Sequence, residues 1–313
     1  MPSFGCLIID KPDGMTSHDV VARVRRAAGT RRVGHAGTLD PFATGVLICC
    51  IGKATRLVRF LSDLEKEYEA TIRLGYATDT QDLTGKQITP LRTSNELSLE
   101  GLRDVVRKFA GPQLQMPPMF SAKKIAGERL YRAAREGREV ERRPVGIVVH
   151  SFNILDDARF DTPNVDGTRD FRVRVRCSSG TYIRTLAHDI GEKIGVGAHL
   201  ADLRRTRVGH FEVGDGLSLD ELNRMTREEV EASMLSGSRM LTHLPMVELD
   251  QHRVALVMNG RSFSLSEREA DAAAGGMPLR LCDGSGTLIG VGKYDQATKS
   301  VKPEVVMRVE ETE

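Results

Sequence analysis

The segment at residues 31–45 carries the first side chain with clear chemical potential, a carboxylate in an irregular loop. It reads RRVGHAGTLDPFATG and shows neither the 3.6-residue period of a helix nor the alternation of a strand. Asp40 lies near its centre, before a proline and among three glycines. A loop between two buried strands is a common place for a catalytic group. The alternative is a Thr-Leu-Asp-Pro turn, in which the carboxylate only bonds its own backbone.

Motifs that bind common cofactors do not occur in the sequence. HExxH, P-loop and GxGxxG patterns are absent, and the five cysteines are scattered without a C-x-x-C pair. Cys49 and Cys50 lie in the apolar run GVLICCIG, where small buried core residues are expected. We therefore expect no disulfide framework and no metal site. Any chemistry should proceed without a metal, nucleotide or nicotinamide cofactor.

Apolar runs around this segment predict the strands that would hold it. GCLIID (5–10) and residues 46–51 are typical of buried strands, and Thr16 or Ser17 can cap a helix between them. FRVRVR (171–176) alternates like a strand, so its arginines are expected to be exposed or paired with something anionic. Strands and helices mix without strict βαβ alternation, which predicts the α+β class.

Helices are expected at three further places. Ser98 should cap a helix that ends near Gly111. Ser218 and Glu221 form a capping box before an acidic helix. Residues 55–64 predict a short basic helix.

The character of the sequence changes near Pro245. VELDQHRVALVMNG, MPLRLCDGSGTLIGVGKY and VKPEVVMRVE are interpreted as short strands with Gly or Asp turns, which predicts a small β-barrel or sandwich. EREADAAAGG (267–276) is interpreted as a flexible insertion between them. A chain of 313 residues is also long enough for two domains.

Composition and charge narrow the class of protein. Hydrophobic residues make up 40% and no apolar run approaches the roughly 20 residues of a membrane helix, so we expect a cytoplasmic protein. The net charge is only +2, yet three blocks are basic and one is acidic. Such runs are usually solvated faces, but three basic blocks can converge on one polyanion. The net charges are +5 for 1–60, +6 for 101–143, +5 for 172–207 and −5 for 213–250.

Several segments, in order and in register, resemble the TruB-type tRNA pseudouridine synthases. GHAGTLDPFATGVL (34–47) is similar to the catalytic motif of that family over its full length. The tail from about 247 resembles a PUA domain, an RNA-binding barrel. The other matching segments are IIDKPDGMTSHDVV (8–21), KEYEATIRLG (66–75), MPPMFSAKKIAGERLYRAAREG (116–137), SSGTYIRTLAHDIG (178–191) and HLADLRRTRVGHF (199–211).

The resemblance implies three catalytic residues. Asp40 matches the catalytic aspartate, and Arg184 matches the arginine that pairs with it, which would keep the carboxylate ionised and oriented. Tyr68 matches the tyrosine that stacks on the target base. A core-facing tyrosine on a strand and an ordinary exposed arginine are the structural alternatives for the last two.

The resemblance also implies residues that bind the RNA. Tyr182 and Leu203 match pocket positions, although core packing explains both nearly as well. Lys11 and Pro12 match a pair that shapes the pocket wall, with a plain surface lysine as the alternative for Lys11. His35 matches a histidine that fills the position left by a flipped-out base.

A mobile RNA-clamping insertion at about 116–145 completes the implied RNA contacts. The basic helix expected at 123–138 would bind mainly phosphates. Phe120 stands where the family commonly has tyrosine, and we expect activity to survive that change. The basic residues of this expected helix are Lys123, Lys124, Arg129, Arg132, Arg135 and Arg138.

The implied function is isomerisation of the T-loop uridine-55 of tRNA to pseudouridine by base flipping and rearrangement of the glycosidic bond. The implied architecture is a catalytic domain at 1–246, with a mixed, largely antiparallel sheet and flanking helices, and a PUA-like barrel at 247–313. Asp40 could act as a nucleophile or remove the C2′ proton to give a glycal. The expected partner is the T arm of tRNA, with no cofactor, no membrane, no obligate protein partner and a monomeric chain.

Two other functions stay open at this point. A guide-RNA-dependent pseudouridine synthase, the catalytic subunit of a ribonucleoprotein, would share the same motifs. A non-catalytic tRNA-binding or tRNA-folding protein could keep the same scaffold, although the intact Asp40, Tyr68 and Arg184 set argues against that as its only role.

Overall fold

The structure is a computed structural model that describes residues 4–94, 96–121, 124–125, 128–129, 136, 138, 140–156, 160, 162–273 and 275–307. The first strands are β1 (Gly5–Lys11), β2 (Val33–Ala36), β3 (Thr44–Ile51), β4 (Lys66–Leu74), β5 (Gly111–Gln115), β6 (Lys124–Ile125), β7 (Glu128–Arg129), β8 (Val145–Asp156) and β9 (Arg169–Cys177). They are followed by β10 (Ala198–Val208), β11 (Phe211–Glu212), β12 (Leu217–Ser218), β13 (Met246–Leu249), β14 (Phe263–Ser264), β15 (Leu279–Asp283), β16 (Leu288–Asp295) and β17 (Ser300–Val306). The helices are α1 (Ser17–Ala27), α2 (Val58–Ser62), α3 (Leu99–Arg107), α4 (Ile183–Ile194), α5 (Leu219–Arg224), α6 (Arg227–Ala232), α7 (Gly237–Met240), α8 (Gln251–Met258) and α9 (Glu267–Ala273).

A mixed sheet of ten strands forms the centre of the molecule. Its main path runs β12-β1-β3-β10-β4-β9-β8-β5, with β2 on β3 and β11 on β10. Only β1–β12 and β3–β10 are parallel among its described pairs. The expected α+β class with a mixed, largely antiparallel sheet is therefore confirmed. A second sheet, in the order β13-β15-β16-β17-β14, curls into a half-barrel.

Contact between β3 and β10 places the Asp40 loop beside the middle of the sheet. Thr44 is the Cα partner of Arg204, and Gly45 is the partner of Arg205. Gly45 has a φ of 101°, and a Cβ there would lie 2.2 Å from the Arg205 carbonyl oxygen. Only glycine allows this approach, since it has no Cβ and tolerates positive φ.

Apolar clusters cover both faces of the large sheet. On one face, α3 and α4 bury a core that includes Phe171, Leu186 and Ile190, and this core extends to Leu39 in the catalytic loop. On the other side of β1 and β3, a core continues into the half-barrel through Leu288. No helix in the described ranges is long and apolar enough to cross a membrane.

Charged residues on β4 and β9 form a ladder of ion pairs. Glu69 binds Arg172 at 3.1 Å and Arg174 at 2.6 Å, and Glu65 binds Arg176 at 3.3 Å. The arginines of FRVRVR are therefore paired within the sheet. Because these side chains are partly exposed, each pair adds little to stability.

The capping expectations are confirmed with one refinement. Thr16, rather than Ser17, caps α1 in a capping box with Asp19. Ser98 caps α3, and the side chain of Ser218 accepts from the Glu221 backbone before α5. The helix expected at 55–64 is wrong in part, because a 3-10 turn at Gly52–Leu57 precedes α2.

Three expectations of local structure are wrong. The first tail segment forms β13 and then α8, because Asp250 accepts from the Arg253 backbone and begins a helix. Glu267–Ala273, expected to be a flexible insertion, forms α9. The basic helix expected at 123–138 is wrong for the described residues 124–125 and 128–129, which pair as β6 and β7 in a short antiparallel ladder, and residues 130–135 lie outside the described residues. The Ala-Gly sequence between β6 and β7 disfavours a helix interior and lies outside the described residues.

Candidate active site

A cavity of about 280 Å³ opens beside the irregular loop between β2 and β3. The loop forms one wall, the start of α4 forms another, and side chains of β4 and β10 form the floor. The cavity is lined by Gly37, Thr38, Leu39, Asp40, Ser62, Lys66, Tyr68, Ser121, Gly180, Thr181, Tyr182, Ile183, Arg184, Leu203 and Arg205. All three side chains expected to be catalytic therefore lie around one space.

Arg184 holds Asp40 with two nitrogens. Its Nε lies 2.8 Å from Asp40 Oδ2, and its Nη2 donates to Oδ1 at 3.2 Å. The Arg184 side chain is 4% exposed and the Asp40 side chain is 33% exposed, so the carboxylate is the more accessible member of the pair. A two-point fork of this kind fixes the orientation of a carboxylate as well as its position.

A second carboxylate shares the same arginine. Arg184 Nη1 lies 3.3 Å from Asp82 Oδ2 and also donates to the Thr80 carbonyl at 2.9 Å. Its Nη2 donates to the Phe120 carbonyl at 2.7 Å, a backbone contact that any residue at 120 would provide. Sequence reasoning missed Asp82, because in DTQDLTG it is typical of a polar turn.

The turn itself holds Asp82 in place. Asp82 is 4% exposed, and its Oδ1 accepts from the Thr80 hydroxyl at 2.7 Å and the Thr84 hydroxyl at 2.6 Å. The spacing of Thr, Asp and Thr at 80, 82 and 84 was the signal available in the sequence. Asp82 therefore uses one carboxylate oxygen for hydrogen bonds within the turn and the other for its contact with Arg184.

Burial raises the pKa of Asp40 above its ordinary value. Arg184 counteracts this rise, and the nearby charge of Asp82 adds to it. The ion pair with Arg184, which is expected to keep the carboxylate ionised, therefore opposes the rise in pKa that desolvation of Asp40 causes. The ion pair therefore both orients the carboxylate and opposes the rise in its pKa.

Tyr68, Leu203 and Tyr182 line the cavity, as expected. Tyr68 on β4 is 8% exposed, and burial raises the pKa of its phenol while Arg205 lowers it. Leu203 comes from β10. Tyr182 lies at the N-terminus of α4, where its backbone N–H donates to Gln115 Oε1 at 2.8 Å. Together, an aromatic face and an aliphatic side chain form an apolar surface on which a planar base can stack.

Two residues outside the cavity hold the Asp40 loop. Ser17 Oγ donates to the Leu39 carbonyl at 3.1 Å and accepts from the Leu39 N–H at 2.9 Å. Lys11 Nζ donates to the carbonyls of Pro41 at 2.9 Å and Met15 at 2.6 Å. Lys11 is fully buried, so the surface-lysine alternative is wrong, and burial lowers its pKa to about 8. Lys11 therefore connects the end of β1 to the catalytic loop.

Pro12 and His35 lie near the cavity but are not among its lining residues. Pro12 is exposed and borders a separate groove of about 270 Å³ together with Lys11. His35 on β2 is partly buried and meets His18 edge-on, with ring centroids 5.5 Å apart. Burial lowers the pKa of His35 to about 4, so this imidazole is neutral at physiological pH.

Four implied RNA-binding residues lie in the insertion. Lys123 and Arg132 lie outside the described residues. For Lys124 and Arg129 the structure gives the backbone, where they are paired between β6 and β7. Their contact with RNA stays a prediction.

Two family models cover the part of the chain that builds the site. The model described as TruB family pseudouridylate synthase, N-terminal domain, matches residues 25–183. The model described as tRNA pseudouridylate synthase B C-terminal domain matches residues 184–246.

The chain belongs to the TruB family of pseudouridylate synthases. It is therefore a pseudouridine synthase. Asp40 and Tyr68 fall within the first matched range, and Arg184 is the first residue of the second.

Curated relatives of this TruB-family enzyme are similar over most of its length. The tRNA pseudouridine synthase B of Thermobifida fusca is 52% identical over 219 residues, which covers 70% of this chain and 74% of the relative. The protein of the same name from Opitutus terrae is 47% identical, covering 74% of this chain and 92% of the relative. Among solved structures, an H/ACA RNP bound to a substrate RNA containing 2′-deoxyuridine has a chain with 25% identity and a TM-score of 0.69. That match covers 98% of this chain and 86% of the other.

Proposed function

We propose that this TruB-family enzyme converts uridine-55 in the T loop of tRNA to pseudouridine, with Asp40 as the catalytic carboxylate. The observation that carries the proposal is the bidentate Arg184–Asp40 pair at the wall of a cavity floored by Tyr68 and Leu203. The names of the curated relatives, tRNA pseudouridine synthase B, support tRNA as the substrate.

The cavity suits a flipped-out uridine. Uracil stacked on Tyr68 would present its ribose to Asp40. The N1–C1′ bond breaks, the uracil rotates and C5 bonds to C1′, after which C5 loses its proton and N1 gains one. Nothing enters or leaves overall, so no oxidant or energy source is needed. Asp40 either attacks the sugar or removes the C2′ proton, and both routes use the same oriented carboxylate.

RNA recognition would extend beyond the cavity. Extruding a paired or stacked base costs a few kcal/mol, and contacts with the folded T arm must offset that cost. We assign residues 1–246 to catalysis and 247–313 to a PUA-like RNA-binding domain. Folded RNA is recognised mainly through its shape, its backbone and unstacked bases. The enzyme is proposed to act as a monomer without an obligate protein partner.

A second candidate is guide-RNA-dependent modification. It is supported by likeness over almost the whole chain to chains from an H/ACA RNP and from a Cbf5-Nop10-Gar1 complex, the latter with 26% identity and a TM-score of 0.68. The higher identity to relatives named for tRNA favours the first candidate. Activity on bare tRNA, without guide RNA or partner protein, separates the two.

The deciding experiment uses an unmodified tRNA transcript and the purified full chain. Pseudouridine is mapped by carbodiimide labelling and primer extension, and Asp40→Asn is compared with Asp104→Asn, an exposed carboxylate on α3. We expect one product, at position 55, that Asp104→Asn retains and Asp40→Asn loses while still binding tRNA. Product at another position, or product with Asp40→Asn, would refute the proposal. No product without an added guide RNA would favour the second candidate.

A further inference from the structure

Two buried cations lie in the floor of the catalytic cavity and have no role so far. Lys66 is 6% exposed and Arg205 is 1% exposed, and both line the cavity with Tyr68. Lys66 and Tyr68 are two residues apart on β4 and therefore lie on the same face of the strand. Arg205 on β10 is the Cα partner of Tyr68. A Cβ on Gly37 would lie 3.6 Å from Arg205 Nη1 and 3.9 Å from Lys66 Cε, so the two cationic side chains are neighbours. A base stacked on Tyr68 would therefore have both cations close to it.

The cations are held by neutral acceptors. Lys66 Nζ donates to the backbone carbonyls of Ser62 and Leu64, the latter at 2.6 Å. Arg205 donates from Nε to the Val46 carbonyl at 2.8 Å and from Nη2 to the Gly37 carbonyl at 3.1 Å. Within the described part of the chain, neither forms an ion pair with a carboxylate. A buried cation without a counter-ion is costly, so a gain elsewhere must offset it.

The charge around the cavity is unbalanced. Arg184 is bound to both Asp40 and Asp82, so these three side chains together carry a charge of −1, and Lys66 and Arg205 bring the total for the five to +1. The site therefore favours a negative group that the free enzyme does not supply. Asp40 lies on the wall formed by the loop between β2 and β3, and Lys66 and Arg205 lie in the floor.

The proposed reaction generates such a group. When the N1–C1′ bond breaks heterolytically, the electron pair stays on N1 and the uracil becomes an anion with charge on O2 and O4. This anion must persist while it rotates, until C5 donates its electron pair to C1′. Fixed charges aimed at a position where charge develops are an effective way to lower a barrier.

We propose that Lys66 and Arg205 stabilise the detached uracil as an anion during its rotation. The inference rests on the proposed function, because it needs a uracil in this cavity. Backbone carbonyls fix both cationic groups before the substrate arrives, so no reorganisation is required in the reaction. Lys66 has three N–H groups and gives two to carbonyls, which leaves one to follow O2 or O4.

The protonation of Lys66 provides a separate readout. The pKa of Lys66 is lowered to about 8, mainly by burial and also by the charge of Arg205, while Cys177 and Asp63 act to raise it. Tyr68 and Arg205 are the other ionisable side chains facing it within the cavity floor. Deprotonation above pH 8 removes one of the two stabilising charges. The chemical step should therefore slow as pH rises through about 8.

The test compares Lys66→Met, which removes the charge at similar size, with Lys66→Arg, which keeps it. Lys193→Met on the exposed end of α4 is the control for loss of a lysine. Single-turnover rates and tRNA affinity are measured for the full chain. We expect Lys66→Met to slow the chemical step roughly 100- to 1000-fold, as loss of one preorganised donor does elsewhere, without changing tRNA affinity. Lys66→Arg should keep most of the rate and move the alkaline fall in rate above pH 8.

A transcript with 5-fluorouridine at the target distinguishes stabilisation of an anion from a structural role. Fluorine stabilises the N1 anion, so the loss caused by Lys66→Met in glycosidic-bond cleavage should shrink with this substrate. Equal losses on both substrates, or weaker tRNA affinity with an unchanged chemical rate, would overturn the proposal, the latter by indicating an RNA-phosphate site. If the wild-type chain makes no pseudouridine, the proposed function fails instead.

Discussion

Arg184 connects two carboxylates, and only one of them reaches the cavity. Asp40 is oriented by the fork, whereas Asp82 is buried and turn-bonded. Without the negative charge of Asp82, Arg184 loses one of its two ion pairs, and its guanidinium can shift toward Asp40. We therefore expect Asp82 to position the carboxylate of Asp40, which is proposed to be catalytic.

The first prediction concerns Asp82→Asn. We expect the single-turnover rate to fall roughly 10- to 100-fold, since misplacement of a catalytic group by about 1 Å costs on that order. Asp79→Asn is the matched control from the same loop, because Asp79 is exposed and accepts only from the Lys86 backbone in the described structure. Equal rates for the two variants would mean that Asp82 does not position Asp40.

The second prediction concerns the acid side of the pH profile. Burial and Asp82 raise the pKa of Asp40, so its carboxylate form is lost as pH falls through a value above the ordinary aspartate range. Since Asp82→Asn removes one cause of that rise, the acid limb of the remaining activity should move to lower pH. Rate against pH in single-turnover assays measures the shift, and a limb that stays in place would contradict it.

Residues were predictable where a motif carried them. Asp40, Tyr68 and Arg184 follow from segments that resemble the family. Asp82 was missed because a turn-forming aspartate and a partner of a buried arginine look the same in one sequence. The burial of Lys11 was also not predictable, because nothing in the local sequence distinguishes a solvent-exposed lysine at the end of a strand from one enclosed by carbonyls.

At the scale of elements, α1 supports the catalytic loop. Thr16 caps the helix, and the next residue, Ser17, makes both hydrogen bonds to Leu39. The end of the helix and the loop are therefore fixed to each other one residue before Asp40. Thr16 therefore contributes to the stability of the helix, and Ser17 contributes to the position of the Asp40 loop.

The third prediction separates the contribution to rate from the contribution to stability. Ser17→Ala should lower the single-turnover rate about tenfold, because a loop shift of a fraction of an ångström moves the Asp40 carboxylate. Thr16→Ala should cost about 1 kcal/mol of unfolding free energy through loss of the cap, with little change in rate. Chemical denaturation and the tRNA assay measure the two effects. A rate loss confined to Thr16→Ala would contradict this assignment.

Elements with strong periodicity were predictable, and those set by a single side chain were not. β1, β3 and β9 follow from apolar runs or alternation. In the tail, Asp250 turns a strand-like run into α8, and its effect depends on one hydrogen bond to the Arg253 backbone. α9 forms in the segment EREADAAAGG, whose ending in small residues had favoured a flexible insertion. Its residue Glu269 binds Arg253 at 2.8 Å, a contact between distant positions that local pattern does not reveal.

At the scale of the whole molecule, the two sheets share one apolar core. Ile8 and Ile48 of the large sheet, Leu241 and Leu244 of the connection, and Leu288 of the half-barrel belong to a single buried cluster. Arg59 and Glu304 add an exposed ion pair at 2.8 Å across the same boundary. A core that crosses a boundary couples the folding of the units on each side.

The fourth prediction follows from this shared core. Leu288→Ala should cost about 2–4 kcal/mol, the usual range for a buried leucine, and should lower one common transition for the full chain. Calorimetry suits the measurement, because the chain has no tryptophan for fluorescence. Lys293→Met, at an exposed position of the same strand, is the control. Two separate transitions, of which the variant shifts only one, would show that the units unfold independently.

The Asp40–Arg184 pair joins positions 144 residues apart in the chain. During synthesis at about 5–20 residues per second, Asp40 is made roughly 7 to 30 s before its partner. β10, which supplies the floor of the cavity, is made later still. A ribosome-bound chain that ends before residue 184 has the Asp40 carboxylate without its arginine, and a chain that ends before residue 198 has it without β10. Catalytic competence is delayed until most of the protein has left the exit tunnel, so a truncated product of interrupted translation would be inert toward RNA.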